Sequence, residues 1–216
     1  MKQTKNQIQK ILETLHSLYP KVKTELLHES PFQLLIATML SAQCTDKQVN
    51  AVTPLLFQKM PCAEHIANAS IEEIEEKIHS TGFFRNKARN IKKCCQILVE
   101  KYHGNIPSSL EELVALPGVG RKTANVVLSS AFNVPAIVVD THVIRISARL
   151  GLTKEKDPEK IELDLQKCIP KEYWSDLSLQ LIFLGRSLCP ARNPKCTICP
   201  LNSWCVFGKK QIKKLL

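Results

Sequence analysis

Aromatic residues make up only 6% of this chain, too few for the rows of stacked rings on which proteins hold single-stranded nucleic acid. No apolar run approaches the roughly 20 residues a membrane-spanning helix needs. No basic amphipathic stretch carries bulky aromatics on its opposite face, as surface-bound membrane helices do. The opening Met1-Lys2-Gln3-Thr4-Lys5-Asn6-Gln7 leads into an amphipathic pattern and not into the apolar core of a secretion signal. Strand-like alternation of useful length is missing, and so are internal repeats and low-complexity tracts. These absences leave a cytoplasmic globular protein, monomeric and without a membrane partner, as the expectation.

Two things are abundant. Thirty Lys and Arg against twenty Asp and Glu give a net charge of +10 and a pI near 9.2. Such a balance implies a polyanionic partner, because basic side chains that neutralise phosphates release condensed counterions. There are also nine cysteines. In a chain with no secretion signal, metal binding explains them better than disulfides do.

Helical spacing dominates. Ile8, Ile11, Leu12, Leu15 and Leu18 predict one helix ending near Pro20. Ser30-Pro31 starts a second through Leu40, and Thr45 with Gln48 reads as a capping box for a third. Further helices are predicted at Ala63–Ala67, Ile71–His79, along Ala88–Leu98, from Asp140 to Gly151, and over Pro158–Cys168 and Tyr173–Leu188. The Lys-rich tail from Gly208 is expected to fray, and Pro135–Val139 to be extended. The fold class is all-α with short links.

The stretch Leu116-Pro117-Gly118-Val119-Gly120-Arg121-Lys122 predicts a tight turn between two helices. Ser109 and Glu112 form a capping box ahead of it, Pro117 and Gly118 stop the first helix, and a second starts near Arg121. The unpaired N–H groups of that start, beside Gly118, Val119 and Gly120, suit a phosphate. Lys122 lies in the first turn, where the helix dipole disfavours its ammonium form. An ordinary lysine, with a pKa of about 10.4, is neutral in only about one molecule in a few thousand at pH 7. Lys122 therefore reads as a nucleophile shifted toward neutrality, a point charge on phosphate, or plain surface.

Cys189, Cys196, Cys199 and Cys205 are separated by six, two and five residues and form a metal-ligand set. Zinc and an iron–sulfur cluster both accept four thiolates, and the spacing matches neither common ferredoxin pattern. Arg192 and Lys195, in the loop between the first two ligands, would be presented rigidly to a phosphate backbone. Cys44, Cys62, Cys94, Cys95 and Cys168 are expected to be buried packing residues.

Taken together, the hairpin LPGVGRKTANVV, the following VVDTH, the four-cysteine spacing, SAQ at Ser41–Gln43 and the GFFRNKA turn at Gly82–Ala88 resemble the endonuclease III family. Those are bifunctional DNA glycosylases and abasic-site lyases of the helix-hairpin-helix superfamily. The likeness implies a six-helix barrel over residues 24–133, a cluster domain from 1–23 and 134–216, and a DNA-binding cleft between them. It implies a [4Fe–4S] cluster in place of zinc, and a bacterial-type enzyme associated with the nucleoid. The partner is damaged double-stranded DNA and the substrate an oxidised or ring-saturated pyrimidine, swung out of the stack. Lys122 is then the nucleophile that forms a Schiff base, and Asp140 the carboxylate that assists it; by its own sequence context Asp140 is equally a helix cap. Gln43 fills the gap left in the duplex. Phe83 stands where the family usually places a Leu wedge, a departure that touches wedge geometry and opposite-base preference. His142 is read as orienting backbone beside Asp140. A thymine-mismatch glycosylase and a non-catalytic DNA-binding module are the rival readings.

Overall fold

The computed structural model describes residues 3–213. All regular structure among them is helical: twelve α-helices and two 3₁₀ turns. The chain divides into two compact units, Thr24–Val134 and Met1–Lys23 with Pro135–Leu216.

The first unit is built around α2 (Pro31–Leu40). Its sequence is apolar all round, and eight of its ten residues are buried, which is what a central helix requires. It packs against α3 (Asp46–Lys59), α6 (Phe84–Tyr102) and α8 (Arg121–Ala131). α4 (Ala63–Asn68) and α5 (Ile71–Ile78) cover another side of α6, and α7 (Leu110–Val114) packs on α8. A 3₁₀ turn, His79–Thr81, joins α5 to α6.

The second unit comprises α1 (Lys5–Leu18), α9 (Thr141–Leu150), α10 (Pro158–Cys168), α11 (Trp174–Ser187) and α12 (Val206–Ile212). Its core gathers Ile11 and Leu15 from α1, Val143 and Ile146 from α9, and Leu177, Leu181 and Leu184 from α11. Each such side chain contributes about 1.5–3 kcal/mol on burial. The extended run Pro135–Val139 feeds this core with Ile137 and Val139. Since it belongs to no sheet, its polar groups need other partners, and Val138 N–H donates to the Ser178 hydroxyl at 2.8 Å.

Three expectations are corrected. Thr45 accepts from Gln48 N–H at 3.2 Å, but the Gln48 amide donates to Ser80 Oγ at 2.7 Å and does not return to the cap. At Ser109 the hydroxyl accepts from Glu112 N–H and itself donates to the Glu112 carboxylate at 2.8 Å. Both boxes are thus half-formed, while complete ones occur at Thr4/Gln7 and Ser70/Glu73. The tail is helical as far as Ile212, with Gly208 buried, so the expected fraying does not begin at Gly208; residues 214–216 lie outside the described residues. Of the five cysteines expected in the core only Cys94 and Cys95 are buried, and Cys44, Cys62 and Cys168 are half-buried.

Candidate active site and nucleic-acid interface

The turn between α7 and α8 follows from local chemistry. Leu116 N–H bonds Leu113 O and Val119 N–H bonds Leu116 O, both at 3.1 Å, so the chain doubles back within a few residues. Gly118 has φ +77°, and a Cβ there would meet Asn90 Cβ at 2.8 Å and Met39 Cε at 3.0 Å. Both backbone angle and packing therefore demand glycine. Gly120 differs: a Cβ there would meet nothing within 4 Å. It is the N-cap of α8 and has no side chain to cap with, so this helix start lacks a side-chain acceptor. Arg121 is half-buried and Lys122 is exposed, at the positive end of the helix. Val119 is only 4% exposed; its side chain anchors the turn.

Asp140 begins α9 and is committed to it. One carboxylate oxygen accepts from His142 N–H and Val143 N–H, both at 2.8 Å, and the other lies 3.1 Å from His142 Nδ1. Its side chain is 14% exposed, so the carboxylate is held and oriented but still reachable. The cap role foreseen beside the catalytic one is therefore present. Gly185, on α11, lets the His142 ring lie close, since a Cβ there would meet His142 Cδ2 at 2.6 Å and Arg145 Nη2 at 2.8 Å. Sequence reading missed Gly185; its signal was an isolated glycine inside an otherwise helical pattern.

Gln43 and Phe83 each follow a helical segment, and each is a non-glycine residue in left-handed conformation, with φ +53° and +48°. Such angles are uncommon outside glycine. Gln43 is exposed and the Phe83 ring is 68% exposed, an unusual position for a large apolar side chain. They line one cavity of about 240 Å³ together with Met39, Asn86, Lys87 and Gly118.

The four C-terminal cysteines lie in turns between α11 and α12. Their thiols act on one another: burial first, and then neighbouring thiols, push the proton affinities of Cys196, Cys199 and Cys205 upward, with Cys189 contributing to all three. Arg149 binds this segment. Its guanidinium donates to Cys189 Sγ at 3.2 Å, to Pro190 O at 2.8 Å and to Ala191 O at 2.9 Å, and it stacks 4.5 Å from the Phe207 ring centre. Gly208 N–H donates to Cys205 Sγ at 3.2 Å. Sequence reading credited the metal alone with clamping the loop and missed Arg149. Arg192 and Lys195 are exposed on it, and Lys195 N–H is pinned to Leu188 O at 2.9 Å.

Among the described residues no three His, Cys, Asp or Glu side chains are placed to hold a single metal ion. Four soft thiols on one segment, with N–H donors aimed at two of the sulfurs, suit a metal group bound by thiolates, zinc or iron–sulfur alike.

A helical fold, a glycine hairpin with an open helix start, and a strongly positive chain define a DNA-binding protein of helix-hairpin-helix type. Residues 36–171 match the profile of the HhH-GPD superfamily, base excision DNA repair proteins. Endonuclease III of Synechocystis sp. (strain ATCC 27184 / PCC 6803 / Kazusa) is 52% identical over 95% of this chain and 94% of its own. That of Bacillus subtilis (strain 168) is 49% identical over 96% and 95%. The solved structure of a trapped endonuclease III–DNA covalent intermediate, an estranged-adenine complex, superposes with a TM-score of 0.91 at 49% identity, over 97% of this chain and 99% of that one. The chain belongs to the endonuclease III family within the HhH-GPD superfamily. No helix among the described residues is long and apolar enough to cross a membrane.

Proposed function

We propose that Lys122 is the nucleophile of a base-excision DNA glycosylase with abasic-site lyase activity, acting on oxidised or ring-saturated pyrimidines in duplex DNA. The observation that carries this reading is an exposed lysine in the first turn of a helix whose start has no side-chain cap. The damaged nucleotide leaves the stack, at least cost where stacking is already poor. The neutral Lys122 amine attacks C1′ of the sugar and the base departs with the C1′–N bond electrons. Loss of the ring-oxygen bond gives the Schiff base. The imine acidifies the C2′ proton, and its removal expels the 3′ phosphate by β-elimination. Asp140 stabilises the positive charge that develops on the sugar and assists proton transfer from the lysine. Its two backbone hydrogen bonds hold the carboxylate in the direction that this role requires.

The open N–H groups after Gly118, Val119 and Gly120, with Arg121, bind a backbone phosphate; Arg192 and Lys195 bind others. Gln43 fills the gap in the duplex and Phe83 wedges against the opposite strand. Cys189, Cys196, Cys199 and Cys205 hold a [4Fe–4S] cluster, which when bound organises the basic loop for DNA and takes no part in the cleavage chemistry. On this reading Thr24–Val134 is the barrel domain with the hairpin, and the remainder is the cluster domain. The enzyme works as a monomer in the bacterial cytoplasm, on nucleoid DNA.

Borohydride reduction on duplex DNA containing thymine glycol tests the central step. A covalent adduct is expected with the native enzyme and none with Lys122→Gln. A Lys122→Gln protein that still cuts the strand would remove the assignment.

A further inference from the structure

We infer that Lys87 is a positioning residue that couples the Gln43 loop to the Phe83 loop, so that gap filling and wedging occur as one event. The inference rests on the reading of those two residues as the ones that probe the duplex. Lys87 stands in the first turn of α6 and is only 8% exposed, an unusual place for an ammonium. Its Nζ donates to Leu40 O at 2.8 Å and to Thr81 O at 2.6 Å. Leu40 is the last residue of α2, and Thr81 the last of the 3₁₀ turn. Both carbonyls are therefore C-terminal orphans, at helix ends whose partial negative charge favours a cation.

Each carbonyl lies just ahead of one left-handed residue: Leu40 before Gln43, Thr81 before Phe83. A left-handed non-glycine residue persists only where its surroundings hold it. Lys87 holds the second loop twice, because its own N–H also donates to Phe83 O at 3.1 Å. One turn further along α6, Asn90 fills the space that a Cβ on Gly118 would need. The first two turns of α6 thus underpin the gap filler, the wedge and the hairpin together. Burial lowers the proton affinity of the Lys87 ammonium and a nearby Cys44 opposes that shift; two carbonyls stand in for the water it has lost.

A double-mutant cycle tests the coupling. Lys87→Met keeps the length of the side chain and removes the charge and donors. Single-turnover excision of thymine glycol is expected to fall about 30-fold in Lys87→Met, and cleavage of a preformed abasic site by less than about 5-fold. In a Gln43→Ala/Phe83→Ala background, Lys87→Met is expected to cost less than about 3-fold more, because the parts it aligns are already gone. An equal loss in both backgrounds would overturn the inference and make Lys87 a general support of the fold. If the Gln43→Ala/Phe83→Ala protein excises normally, the probe reading itself fails; if that protein is impaired while Lys87→Met is not, only the coupling fails. Should Lys87→Met not fold, Lys87→Gln, which retains one donor group for one of the two carbonyls, takes its place with the same expectations halved on a logarithmic scale.

Discussion

The two units each carry one helix start that matters, and the two are built on opposite rules. α8, in the Thr24–Val134 unit, begins at a glycine, has no side-chain cap and shows an exposed lysine in its first turn. α9, in the other unit, begins at an aspartate that accepts two backbone N–H bonds and lies against a histidine. An open start suits an anion; a closed one fixes a carboxylate's direction. The cysteines divide the same way. Cys94 and Cys95 are sealed inside α6, and burial pushes the Cys94 thiol up to about 12 and Cys95 up as well, which makes them inert packing. Cys189, Cys196, Cys199 and Cys205 are half-buried in turns, and N–H donors reach the sulfurs of Cys189 and Cys205.

The largest effect expected is at the open start. Lys122→Gln should lower strand cleavage by at least about a thousandfold while thermal stability and duplex binding stay near the native values, since an exposed side chain carries little stability. Loss of the fold along with the activity would blur the contrast drawn between the two helix starts. At the closed start two substitutions separate cap from charge. Asp140→Asn keeps a good N-cap and should slow base excision by about 10²–10³-fold with a stability change under about 0.5 kcal/mol. Asp140→Ala should show a similar kinetic loss and cost about 1 kcal/mol of stability besides. Equal stability losses in denaturant titrations of the two variants would mean that the cap is not what holds α9.

The hairpin glycines give a smaller effect. Gly118→Ala must take φ +77° and collide with Asn90, so it should destabilise by about 1–3 kcal/mol. Gly120→Ala meets open space and should stay within about 0.5 kcal/mol of native, while weakening duplex affinity and flattening its salt dependence, read by fluorescence anisotropy at several salt concentrations. A pH effect belongs to the two buried thiols. Their folded proton affinities lie above the unfolded value of about 9, so the stability they carry is complete below that pH. It falls as pH rises from 9 toward 12, by about 1.4 kcal/mol per pH unit per thiol. Urea midpoints at pH 8, 9 and 10 read the slope, and Cys94→Ala should make it shallower.

Much of this was legible because it is local. A Pro-Gly-Val-Gly run can only be a turn of few conformations, and a Ser-Pro starts a helix. Asp140 before Thr-His announced a cap from sequence, and the cap is there. What failed had a distant partner. Gln48 had the spacing for a box, but Ser80, 32 residues away, took its amide. Nothing local marks Lys87, and only the meeting of two helix ends buries it. Arg149 gave no sign that it binds a loop about forty residues on.

Sequence alone determined the helical class, the hairpin and the cap at Asp140, because each depends on backbone angles and donors within a few residues of one another. Tertiary structure decided which polar groups are spent and which stay open. That choice turns on desolvation: whether a lysine, a carbonyl or a thiol keeps its water depends on which helix packs over it.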